Sequence, residues 1–266
     1  MAREKKKQKK AQKTVDTSSS ILIGHAGRRP IYLPEDAKNV LEFGTTGAGK
    51  TVGLSNIVSY AIEKDLPALF VDGKGDIGSG SMYDIVTGMM KGVNKKLYVI
   101  NLSDIANSHQ YNPFRNASFT VAKDMLINMS DWSEEHYKLN AERFLQRTLQ
   151  MLELGKFDLS FHKIVKCIAP AKFTDLSSYL LKKDLITKED HLDNMELLKT
   201  SGRMVQGSTA RFSTIAEGEL KHVFTDKGID ISQAMLEKAI ILFVLNPMTH
   251  PEVSPAFGRL ATIDAK

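Results

Sequence analysis

The stretch Asn39-Val40-Leu41-Glu42-Phe43-Gly44-Thr45-Thr46-Gly47-Ala48-Gly49-Lys50-Thr51 decides the fold. Its first five residues read as a short apolar strand. Its last eight match G-x-x-x-x-G-K-[ST] at every fixed position. A helical pattern follows over about 50–63, with apolar Val52, Leu54, Ile57, Val58, Ala61 and Ile62. Strand, glycine-rich turn and helix together form the setting in which this motif holds a nucleoside triphosphate. The glycines let backbone N–H groups close on phosphate oxygens with no Cβ between them. The helix start adds N–H donors and a partial positive charge. Lys50 is spaced to reach the β- and γ-phosphates, and the Thr51 hydroxyl to ligate Mg²⁺. Gly44, Thr45, Thr46, Gly47, Ala48, Gly49, Lys50 and Thr51 are thus the expected nucleotide-binding residues, with Lys50 also the catalytic cation.

Downstream the same alternation continues. Pro67–Val71 reads as a strand, about 81–91 as a helix, and Lys96–Ile100 as a second buried strand. This order predicts a mostly parallel α/β sheet with helices on both faces. Upstream, 21–24 and 30–34 around Gly27 read as a hairpin beside that sheet. From about Ser118 the apolar period changes from 2 to 3.6. Glu134–Leu154 is the clearest helix, with Tyr137, Ala141, Phe144, Leu145, Thr148, Leu149 and Leu152 on one face. Asp131 and Glu134 have capping-box spacing, and Gly155 suits a left-handed stop. Helical pieces follow over 174–183, 188–198 and 209–223, before the fully apolar strand Ala239–Leu245. The expected organisation is a basic arm over 1–19, a nucleotide-binding domain made of 20–117 and 233–266, and an all-helical insert over 118–232. There is no internal repeat.

The formal charge of +5 over 266 residues is misleading taken whole. Residues 1–13 hold seven Lys/Arg and one Glu, or +6, which leaves −1 for the other 253. The arm reads as disordered and solvated, or as a contact for nucleic-acid or lipid phosphates. The single cysteine, Cys167, excludes an internal disulfide framework. The seven histidines show no metal-ligand spacing. No apolar run is long enough to span a bilayer, and no apolar segment follows the charged start as in a secretory signal. Cys167 and Trp132 read as packing residues. Lys91, Lys95 and Lys96 read as a solvated turn.

Hydrolysis also requires an acidic residue near Mg²⁺. Asp72 ends the strand Ala68–Val71 and is one candidate; with Gly75 it also fits the D-x-x-G of switch GTPases. No N-K-x-D guanine-reading motif accompanies it. The strand 239–245 ends in Asn246-Pro247 rather than Asp-Glu, and Asp264 stands too near residue 266 for a catalytic element to follow it. The chain therefore shows a phosphate cradle without a Walker B pair.

The ordered segments LEFGTTGAGKT (41–51), LFVDGKGD (69–76), YVINLSD (98–104) and YNPF (111–114), followed by the helical insert, resemble the nucleotide-binding domain of conjugative type IV coupling proteins. These form the TraG/TraD family of the HerA/FtsK superfamily of DNA-pumping ATPases. The stretch 207–232 leading into AIILFVLN is similar to it as well. Gly73 stands where the family's D-P-K-G segment has proline. The resemblance spans roughly 20–264 and implies a RecA-like P-loop fold, ATP and Mg²⁺ as cofactors, and DNA translocation by a homo-hexameric ring. It further implies type IV secretion and relaxosome partners and a cytoplasmic location, peripheral at the inner membrane. Arg203 and Arg211 are the candidate trans arginines. Two departures matter: the basic arm stands where the family has a transmembrane pair, and the chain ends before the family's Walker B strand. ATP binding without efficient hydrolysis is therefore an expected behaviour. The alternative is a GTPase-like regulatory module that senses nucleotide through Asp72-x-x-Gly75.

Overall fold

The structure, a computed structural model, describes residues 19–37 and 39–265. Within one helix it leaves out the side chains of Arg203, Met204, Gln206, Ser208, Thr209 and Arg211. The basic arm lies outside the described residues except for Ser19. The described chain divides into two units. The first holds the residues up to Leu66 together with Gly78–Lys95; the second holds Pro67–Ile77 and Lys96 onward.

In the first unit, β1 (Ser20–Ala26) and β2 (Arg29–Pro34) pair antiparallel as an isolated hairpin with an irregularity between Leu22 and Gly24. Helix α1 (Lys50–Glu63) buries Ser55, Val58 and Ala61 and reaches the hairpin through Asn56, whose Nδ2 donates to Ile23 O at 3.3 Å. Helix α2 (Met82–Met89) opens on Ser81, whose hydroxyl accepts from the Asp84 N–H. The strand expected at 39–43 does not form: the segment has no ladder, and Val40, Leu41 and Phe43 are exposed, Phe43 by 84%. Apolar residues such as Val40, Leu41 and Phe43 permit a strand, but only a partner fixes one.

The second unit is built on a parallel sheet of β3 (Ala68–Asp72), β4 (Leu97–Asn101) and β5 (Ile240–Val244) in the order β3-β5-β4. Asp72 and Asn101 both pair with Val244, so the three carboxyl ends are level. Central β5 is wholly buried, as its unbroken run Ile-Ile-Leu-Phe-Val requires. Burial of each such side chain stabilises by about 1.5–3 kcal/mol. The outer edge of β4 is closed by a returning loop: Ser108 Oγ accepts from Asn101 N–H, and His109 Nδ1 from Val99 N–H. Such side-chain caps blunt an edge that would otherwise invite strand pairing.

Between β4 and β5 lie α3 (Phe119–Asn128), α4 (Glu135–Leu154), α5 (Phe161–Ile168), α6 (Pro170–Lys182), α7 (Lys188–Glu217) and α8 (Ile231–Leu236). After β5 comes α9 (Val253–Asp264). The mixed α/β class with a parallel sheet is thus the one the alternation predicted. Phe144 of α4 stacks on Phe173 of α6 at 4.6 Å between ring centroids, and both are buried. Helix α7 opens on a capping box of Thr187 and Asp190 and runs unbroken for 30 residues, where two pieces were expected. Gly202 and Gly207 lie inside it.

Two expected stops moved. Glu134 takes the N-cap position of α4 without a side-chain capping hydrogen bond, while Asp131 turns instead to Arg259 (3.0 Å). The left-handed residue after α4 is Lys156 (φ 54°), not Gly155 (φ −75°). Gly155 is needed for space, since a Cβ there would meet the Phe157 ring at 2.5 Å.

Candidate nucleotide-binding site

The 44–51 turn runs directly into the start of α1. Gly47 and Gly49 adopt φ of +84° and +85°, a region that costs an L-residue about 1–2 kcal/mol. Gly49 is the N-cap of α1, no side chain caps that helix, and no acidic residue occupies its first turn. No capping side chain therefore competes for the first N–H groups, although the Glu42 carboxylate lies beside Gly53, where a Cβ would be 2.8 Å from Glu42 Oε1. Lys50 Nζ donates to Gly44 O at 2.6 Å and Thr45 O at 2.8 Å, so the amine sits inside the loop that its own chain draws around it. Thr51, half-buried, follows in the first turn of the helix.

Asp72, the other candidate, lies in the second unit. It closes β3, its Oδ1 accepts from Lys74 N–H at 3.0 Å, and its carbonyl accepts from Leu245 N–H at 2.9 Å. Lys74 forms an ion pair with Asp76. Gly75 is buried with φ +71°, and a Cβ there would lie 2.1 Å from Leu245 O. Backbone contact at the sheet edge thus accounts for the glycine of D-x-x-G without a nucleotide. Arg203 and Arg211 belong to α7, but their side chains lie outside the described residues.

The YNPF segment proves to be a core fixture. Tyr111, Asn112 and Phe114 are buried; Tyr111 N–H donates to Val223 O and Asn112 N–H to Ile229 O. Tyr111 also donates its hydroxyl to Asp264 Oδ2. Burial, and secondarily Asp230, push the Asp264 carboxyl up to about 7, against the downward pull of the Tyr111 hydrogen bond. Sequence spacing could not reveal this buried acid, because its partner is 153 residues away. Cys167 is half-buried, and burial raises its thiol against the pull of Lys163, Lys166 and Lys172.

A mostly parallel sheet with a helical insert, together with a glycine-rich turn opening a helix, defines a P-loop NTPase-like fold. Among solved structures the chain is similar to a bacterial conjugative coupling protein, TrwBΔN70, in its unbound monoclinic form. The TM-score is 0.52 at 17% identity, over 91% of this chain and 55% of that one. The chain thus spans about half the length of that protein. No protein-family model matches it, and no curated protein matches it. Among the described residues, no helix is long and apolar enough to cross a membrane.

Proposed function

We propose that this chain is the nucleotide-binding part of a motor ATPase of the coupling-protein type, which binds ATP with Mg²⁺ and acts on DNA as a homo-oligomeric, six-membered ring. The observation that carries the reading is the cradle itself: two left-handed glycines, an uncapped helix start and Lys50 drawn into the loop. In this reading backbone N–H groups of 44–50 hold the phosphates, Lys50 neutralises the β- and γ-phosphates, and Thr51 holds Mg²⁺. The ion supplies charge neutralisation on phosphate oxygens. Asp72 is the chain's own acidic candidate, and Arg203 and Arg211 are the candidates for a trans arginine. Residues 20–117 with 233–266 form the nucleotide-binding domain and 118–232 the helical insert. Type IV secretion and relaxosome components are the proposed partners, at the inner face of a membrane.

ATP binding, rather than efficient turnover, is what the chain's own residues supply, since none of the described strands ends in Asp-Glu. The GTPase-like alternative is disfavoured by Gly75, whose packing against Leu245 holds the D-x-x-G loop to the sheet. Competition between ATP and GTP for the purified chain separates the two readings. ATP preference at least tenfold over GTP supports the motor reading; GTP preference overturns it. DNA binding is checked across a salt series, because phosphate contacts weaken steeply with salt. Absence of DNA binding at low salt by the assembled oligomer would remove the translocase part.

A further inference from the structure

Cations are unevenly placed along residues 118–232. The stretch 156–183 holds six lysines against two aspartates, whereas the rest of 118–232 holds ten basic and fifteen acidic residues. The basic stretch comprises the turn after α4, then α5 and α6. Among the described residues only one of the six lysines forms an ion pair, Lys172 with Asp175 at 2.9 Å. Lys163 lies in the first turn of α5, where the helix dipole disfavours a cation. Its amine rests over the Phe157 ring, 5.0 Å from the centroid. Phe157 is set by the left-handed turn at Lys156 and donates its N–H to Leu152 O at 3.0 Å. Its ring lies against that of Tyr179 on α6, with centroids 5.7 Å apart. Tyr179 is 41% exposed. Lys182 and Lys183, both exposed, follow three and four residues on, as its helical neighbours. An accessible aromatic ring thus stands among three cations with no carboxylate partner.

We propose that this surface binds single-stranded nucleic acid, with Tyr179 stacking an unpaired base and Lys163, Lys182 and Lys183 pairing with backbone phosphates. This rests on the DNA part of the reading above and names where on the chain a strand is held. Charge alone would serve any polyanion. The ring narrows the partner, because stacking on it requires a base whose face is free, and duplex bases are already stacked on one another. An acidic peptide would answer the lysines and leave the ring unused. Of the two aspartates in the stretch, Asp175 is engaged by Lys172, which leaves Asp158 alone to oppose an incoming phosphate. Phe157 and its turn hold the Tyr179 ring and the Lys163 amine together before a strand arrives, so less side-chain freedom is lost on binding.

The test is fluorescence anisotropy of labelled oligothymidylate, and of a duplex of equal length, with the full chain over a salt series and without nucleotide. Circular dichroism confirms equal folding of each variant. The basic arm is common to every protein compared, so differences between variants report this surface. Tyr179→Ala is expected to lower the affinity for oligothymidylate about tenfold and to leave the duplex affinity unchanged. Tyr179→Phe, which keeps the ring, is expected to keep both. Lys182→Gln combined with Lys183→Gln is expected to reduce the slope of log affinity against log salt by about 1.4, the share of two single-strand phosphates. A wild type that binds oligothymidylate while Tyr179→Ala matches it, or while Tyr179→Ala weakens strand and duplex alike, overturns the proposal and leaves the DNA reading in place. An unchanged salt slope in the double lysine variant overturns it too. Polyglutamate binding more tightly than oligothymidylate, and weakening in the same lysine variant, would make the partner an acidic protein and overturn it. A wild type that binds no oligothymidylate at low salt overturns the surface and the DNA reading together.

Discussion

Tyr111 and Asp264 meet hydroxyl to carboxylate at 2.7 Å, joining the YNPF segment to the end of α9 inside the core. Tyr111 is fully buried, with its ring edge-on to Phe243 of the central strand at 5.2 Å. The carboxyl therefore loses solvation, and Asp230 opposes its ionisation further. In the unfolded chain an aspartate titrates near 3.9, but in the folded chain this one titrates at about 7. Between these values the folded state holds a proton that the unfolded state has released, so stability falls as pH rises through the window. The stabilising contribution is fully present below about pH 4 and lost above about pH 7, and amounts to a few kcal/mol at most. Thermal unfolding is expected to shift downward from pH 5.5 to pH 8. Asp264→Asn should flatten that slope and raise stability at pH 8. An unchanged slope in the variant would show that the carboxyl does not titrate in this window.

Gly75 is held by both space and conformation. Gly75→Ala places a Cβ against the Leu245 carbonyl at a backbone φ of +71°. The expected cost is about 3 kcal/mol or more, since strain and overpacking add. Denaturant unfolding measures it. A cost under about 1 kcal/mol would mean that the 73–76 loop is not anchored to β5.

The end of α4 offers a test in both directions. Lys156 bears the left-handed turn, so Lys156→Gly should stabilise by about 0.5–1 kcal/mol. Gly155→Ala should destabilise, because Phe157 must move. If Gly155→Ala is neutral and Lys156→Gly destabilises, the turn is misassigned.

Phe144 and Phe173 form the stacked centre of the helical part. Phe144→Ala should cost about 3–5 kcal/mol by leaving a cavity, and chemical denaturation should show it as a lower midpoint with little change in slope.

Local chemistry was legible in the sequence and distant pairing was not. The P-loop turn, the hairpin, the three parallel strands and helix α4 all follow from patterns within about twenty residues. Residues 39–43 have the composition of a strand, but a ladder is a non-local agreement that composition cannot supply. Helix α9 went unread because Pro255 and Gly258 oppose helix locally, while burial of Phe257, Leu260 and Ala261 outweighs them. Asp131 had capping spacing, yet the charged Arg259 on that helix draws it away. The candidate site divided the same way. Glycine spacing pointed to the 44–51 turn, whereas in the second unit the Asn246–Ser103–Gly75 hydrogen bonds link residues up to 143 positions apart.

In the proposed function the 44–51 turn holds a nucleoside triphosphate through Lys50. Its most direct measurement is calorimetric titration of Mg-ATP into the wild-type chain and into Lys50→Ala, with circular dichroism confirming equal folding. Saturable binding to the wild type and at least a hundredfold loss in the variant are expected, the size of a charge-assisted phosphate contact. Equal affinity in the two folded proteins would contradict it.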